Sequence, residues 1–265
     1  SSGATTAIAF GDLLLLVQMQ GATISATADD NTYGDNAANS PGGATAATAG
    51  THEFVIAQGP VQPTGAGVCA GQSNVIEVSG AGAGVGGGVI NSYSHDPSPA
   101  SGGRSTFQVV RVPRYGALTF SGTGSLTGAA WSGLSGGIIA VDVTGTVDLG
   151  GTTATRFNAT GLGFRGGVCA TQSADSTALI TGFRLNAPST TNARKGEGYA
   201  GSSCGLANVS ACATAQGYLN GADGKGAPGS AGGGGQRCQN DSASGGGGGA
   251  GGGSGGIGGT SDGGT

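Results

Sequence analysis

The sequence predicts an all-β chain: a β-solenoid of the parallel β-helix type or a β-sandwich, followed by a glycine-rich C-terminal segment. Three observations carry this. Apolar runs have strand length and stop at glycine or proline, as at residues 13–17 and 107–112. Glycine supplies 61 of 265 residues, roughly three times ordinary usage. No stretch sets Ala, Leu, Glu, Lys and Arg at helical spacing, which excludes a coiled coil or helical bundle.

Residues 13–19 read as a buried strand, continuously apolar and bounded by Gly11 and Gly21. Residues 28–50 are small and polar and read as a long loop. Residues 53–57 form a second strand. Residues 74–79 alternate, with Ile76 and Val78 opposite Glu77. Residues 80–88 are a glycine run. Residues 107–112 form a strong strand halted by Pro113, and 117–120 continue it after a turn.

The clearest stretch is 136–167. Ile139, Val141 and Val143 alternate with Ala140 and Asp142, Gly145 breaks the run, and Val147 and Leu149 resume it. Short strands cut by glycine resemble rungs of a parallel β-helix, where inward aliphatic side chains form ladders. An antiparallel sandwich uses strands of the same length, so both architectures stay open. The division expected is a β-rich body over 1–200 and a glycine-rich segment over 201–265. The latter is a flexible linker or a set of packed polyglycine helices.

Composition excludes several functions. Charged residues are 9% of the chain and the formal net charge is -4. Ten Lys and Arg against 14 Asp and Glu cannot build a phosphate-neutralising face, so no nucleic-acid partner is expected. Mean hydropathy of +0.02 argues against charge-driven disorder. The chain lacks a Gly-X-Y period and has only 8 Pro, which excludes collagen. No window reaches the roughly 18 apolar residues of a membrane helix. The start, Ser1-Ser2-Gly3, fits removal of a signal peptide and equally a chain cut for other reasons.

The five cysteines are Cys69, Cys169, Cys204, Cys212 and Cys238. None forms a CxxC pair and only two His exist, so no metal site is expected. Scattered cysteines in a chain of this composition favour an oxidising compartment and disulfides. Cys204 and Cys212 enclose a short loop, and Cys69 and Cys169 share a Gly-Val-Cys-Ala context. The connectivity stays open.

Catalytic patterns are thin. His95-Asp96 is a His/acid neighbour pair, but Pro97 and Pro99 place it in a loop, where an exposed histidine is the expectation. His52-Glu53 lacks the second half of an HExxH motif. Asp29, Asp30, Asn31, Asp35 and Asn36 could supply oxygens to a hard cation, yet fit a solvated loop better. Asp142 and Asp148 are the candidate facing carboxylates for polysaccharide chemistry, with Arg111, Arg114 and Arg165 as cationic neighbours. Both acids also suit outward, solvated strand positions, which is the favoured reading. The GxGxxG-like strings have no strand–turn–helix context, so no nucleotide cofactor is expected. Asn158, Asn208 and Asn240 head formal glycosylation triplets.

Several segments have a family likeness when taken in order. They are residues 11–24, 107–115, 136–150, 161–167 and the run Lys195-Gly196-Glu197-Gly198-Tyr199-Ala200-Gly201. Together they resemble the N-terminal region of large, glycine-rich, secreted bacterial surface proteins of repeat-containing or adhesin type. The resemblance implies an exported, surface-associated, non-catalytic protein, and transfers no catalytic residue.

The function expected is therefore an extracellular structural or adhesive surface protein that self-associates into a fibre, sheath or surface layer. The alternative is a β-helix protein that binds or cleaves polysaccharide, with a glycan as ligand. A third reading is ice or surface binding through Thr144, Thr146, Thr152, Thr153 and Thr155. Leu13, Leu14, Leu15, Leu16 and Val17 are the expected inter-subunit strand, so that deleting residues 1–24 would abolish assembly and spare the body.

Overall fold

The computed structural model describes residues 7–24, 44–45, 47–66, 70–83, 86–97, 104–151, 154–167, 195–201 and 231–233. The described part is all-β. It contains fourteen strands and no helix, and its sheets are open. It therefore offers no helix long and apolar enough to cross a membrane.

The first seven strands are β1 (Leu13–Gly21), β2 (Thr23–Ile24), β3 (Ala44–Thr45), β4 (His52–Ala57), β5 (Gln62–Thr64), β6 (Ser73–Val75) and β7 (Val78–Ser79). After them come β8 (Ser105–Val112), β9 (Arg114–Tyr115), β10 (Leu118–Thr119), β11 (Leu126–Thr127), β12 (Asp142–Val143), β13 (Val147–Asp148) and β14 (Phe157–Asn158).

An antiparallel four-stranded sheet has the order β7-β4-β1-β8. The leucine run makes β1 an interior strand because it can bury both faces. Leu14 and Leu16 pack with Val55 and Ala57 on one face, joined by Ile8, Ile76, Val78 and Tyr93. Each such aliphatic side chain contributes about 1.5–3 kcal/mol on burial. Leu13, Leu15 and Val17 face the other way, beside Phe54 and Val112.

Near its end β1 carries a β-bulge between Gln18 and Gln20. The extra residue flips the pleat. Gln18 bonds Ser94 on the core side, whereas Gln20 pairs across with Thr106 and points to the opposite face.

Beyond β8 the chain changes mode. Three strand pairs form in parallel: β9 with β12, β10 with β13, and β11 with β14. The partners lie 28, 29 and 31 residues apart in turn. Residues 113–131 therefore run alongside residues 142–162 in one direction, with Trp131 N donating to Leu162 O at 3.0 Å.

Two expectations need correction. Residues 74–79 do not form one strand: Asn74 has φ 56°, and the chain divides into β6 and β7. The alternating run 139–143 pairs only at Asp142 and Val143. Gly136 and Gly137, at φ 99° and 77°, turn the chain across the sheet face. The Gln108 amide then clamps Gly136, donating to its carbonyl at 2.9 Å and accepting from its N–H at 3.0 Å. Residues 138–141 line a cavity there instead of meeting a partner strand.

Candidate functional site

The parallel pairs place like residues over like. Leu118 is the Cα partner of Val147, and Leu126 that of Phe157. Phe120 N donates to Asp148 O at 2.9 Å, and the Phe120 and Phe157 rings meet edge to face at 5.4 Å. Trp131 and Phe164 repeat that geometry at 5.5 Å. Such aromatic pairs add about 0.5–1.5 kcal/mol beyond burial.

Arg156 joins the two layers. Its guanidinium donates to the carbonyls of Leu149, Gly122 and Gly124 at 2.8, 3.0 and 2.8 Å. It also lies 5.6 Å from the Phe120 ring centroid. The side chain is buried, so these charge-assisted bonds form out of water. Glycine permits the close approach elsewhere: a Cβ on Gly145 would strike the Gly116 carbonyl, and one on Gly150 the Phe120 carbonyl.

Between the second layer and the sheet lies a cavity of about 900 Å³. Leu13, Leu15, Val17, Phe54 and Val112 form its sheet wall. Ile138, Phe157 and Leu162 form the facing wall. The volume lies within the range of small-molecule pockets, and the lining is mainly apolar.

A second polar centre sits where β1 and β8 meet the segment 195–201. Glu197 is buried and is the hub. Arg165 donates to it through Nε at 2.8 Å and Nη2 at 3.2 Å, and its backbone N–H through a 3.1 Å bond. Gln20 donates to Glu197 at 3.3 Å and to the Gly198 carbonyl at 2.9 Å. Arg104, fully buried, lies 3.7 Å from Glu197. Burial drives the Arg104 pKa down to about 10, Glu197 opposing this and Arg165 adding to it. Among the described residues its Nε and Nη1 have no hydrogen-bond acceptor. Gly21 N donates to Tyr199 O, and Arg104 N to Ala200 O, which holds the segment as a backbone clasp. Gly196 N donates to Gly232 O at 2.9 Å.

The candidate residues read from sequence fall into separate places. Asp142 is held by Arg114 at 2.9 Å, and Asp148 accepts from Gly150 N at 2.8 Å. They occupy different strand pairs, β12-β9 and β10-β13. Of the three candidate arginines, Arg114 meets Asp142, whereas Arg111 pairs with Asp12 at 3.0 Å and Arg165 with Glu197. His95 is exposed and meets Phe107 edge to face at 5.9 Å. Asp96 bridges Ser105. His52 is exposed, with Nδ1 2.9 Å from Gly50 O.

Glu53 behaves differently from its neighbour. Burial pushes its carboxyl up, but bonds from the Ile90 and Asn91 N–H groups, the Tyr93 hydroxyl and the Asn91 side chain outweigh that and lower it. The group is a fixed carboxylate that pins the 90–93 loop to β4. Among the described residues no cluster of three His, Cys, Asp or Glu could hold a metal.

Leu13, Leu14, Leu15, Leu16 and Val17 are bonded to β4 on one edge and β8 on the other. That strand has no backbone edge left for a second copy, and deleting residues 1–24 removes the middle of the sheet. The glycine-rich segment is described only at 201 and 231–233. All five cysteines, the acidic residues 29–36, and Thr152 and Thr153 lie outside the described residues. Thr144, Thr146 and Thr155 are exposed.

Sequence reasoning passed over Arg104 and Arg156. Each stands just before a strand, after glycine or small polar residues, and a lone arginine at such a place carries no local signal for burial. No family model, curated protein or solved structure matches the chain.

Proposed function

We propose that the chain is an extracellular structural or adhesive surface protein, in which residues 113–162 form two coils of a β-solenoid. The observation that supports this most is the parallel register advancing by 28, 29 and 31 residues. A register of that kind arises when successive turns of a coil lie on one another. Coils stacked this way grow along one axis and repeat the same outer surface, which suits a fibre, sheath or layer. Low charge and small side chains favour close stacking. The reading is non-catalytic. Cleavage of polysaccharide at Asp142 and Asp148 gains nothing from a placement in which each carboxylate already has a partner.

Antibody labelling of intact source cells tests the location and role together. Labelling without permeabilisation, lost after brief external protease treatment, is the expected result. A signal that requires permeabilisation overturns the proposal.

A further inference from the structure

We propose that the outer face of the second coil, formed by β12, β13 and β14, is a self-association surface that receives the first coil of another copy of this chain. The proposal rests on the self-assembling reading above and adds its interface. Each of these three strands is paired on one edge only, among the described residues. A parallel strand bonded on one side offers its remaining N–H and C=O groups to a further strand.

The apolar ladder is uncovered at the same place. In the first coil Phe120 is buried at 8%, and Leu118 and Leu126 are half-buried. In the second coil Val147, Leu149 and Phe157 remain 43%, 50% and 43% exposed. The first layer is covered by the second; in the second, Phe157 lines the cavity beneath the sheet, whereas Val147 and Leu149 are exposed outside it.

The occupant is argued from register and charge. Strands β9, β10 and β11 already meet β12, β13 and β14 in parallel register inside the chain, the longer connections of the second coil taking up the difference in spacing. Another copy's first coil brings the same three strands to the open edge. Arg114 of that copy comes over Asp142, continuing the Arg–Asp ladder seen at 2.9 Å within the chain. Its Leu118 comes over Val147. The contact joins two different surfaces, so it is head-to-tail and propagates.

Sedimentation velocity of the full chain over a wide concentration range tests this, with Val147→Lys, Leu149→Lys and Val109→Lys in parallel. Val109 is a partly exposed apolar residue of β8, away from the coil end. All three replace exposed side chains, and circular dichroism checks that each is folded. The wild type should form larger species with rising concentration. Val147→Lys and Leu149→Lys should raise the midpoint of assembly by about tenfold or more, the effect of a charge placed in an apolar contact. Val109→Lys should leave it unchanged. If the wild type assembles and the coil-end variants assemble equally well, the interface is wrong while self-assembly stands. A wild type that stays monomeric throughout overturns both.

Discussion

Arg114 donates from Nε to the Asp142 carboxylate at 2.9 Å, and the two residues, 28 positions apart, are also backbone partners. The pair is half in solvent, so its energy is small, about 1 kcal/mol or less. It records the register and contributes little to holding it. Buried groups elsewhere in the two parallel-paired segments supply the stability.

Arg156 is the first of these. Arg156→Met keeps the apolar stem over Phe120 and removes the bonds to Leu149, Gly122 and Gly124. Hydrogen bonds from a charged donor are worth about 1.5–3 kcal/mol each, so a loss of about 3 kcal/mol or more is expected. Urea denaturation measures it. A loss below about 1 kcal/mol would mean that the two coils are not joined through this side chain.

Gly145 and Gly116 form a matched pair of tests. A Cβ at Gly145 meets the Gly116 carbonyl, whereas one at Gly116 meets nothing within 4 Å. Gly145→Ala should cost about 1–3 kcal/mol through overpacking. Gly116→Ala should be near neutral. Thermal melting of the two variants, side by side, gives the difference; equal effects would contradict the close approach of the coils.

The Glu197 centre predicts an asymmetry. Glu197 is the carboxylate facing both Arg104 and Arg165. Glu197→Ala leaves those charges uncompensated and should cost about 3–5 kcal/mol. Arg104→Met removes a cation whose Nε and Nη1 lack acceptors among the described residues, and should cost much less or stabilise the fold. Chemical denaturation of both variants would show the order; the reverse order would contradict the buried network.

Glu53 predicts a pH dependence. Its folded pKa lies below the ordinary 4.5, so the unfolded state binds the proton more readily. Its contribution is full above about pH 4.5 and fades as the pH falls through the lower folded value. Glu53→Gln should therefore be less stable than the wild type by about 1–3 kcal/mol near neutrality. The gap should close on acidification. A gap that is constant with pH would remove Glu53 from the account.

The sheet was readable because its strands carry long apolar runs. Residues 13–17, 53–57 and 107–112 all lie within strands of the sheet. The parallel pairs were readable only as short strands cut by glycine. Their partners lie 28 to 31 residues away, and the step changes along the chain, so no fixed period emerges from the letters. Residues 139–141 misled for a different reason. Their alternation is real, but it fits a segment laid over an apolar face as well as a strand. The clasp at 195–201 showed in the sequence only as the run Lys195 to Gly201, with nothing to mark its burial, and the fold buries all of it but Tyr199.

The central claim is that residues 113–131 and 142–162 are consecutive coils stacked in parallel. Methyl and aromatic proton contacts in isotope-labelled protein test it most directly by nuclear magnetic resonance. Parallel stacking predicts contacts of Leu118 with Val147 and of Leu126 with Phe157, both in register. Contacts of Leu118 with Phe157 and of Leu126 with Val147, as an antiparallel pairing gives, would contradict it.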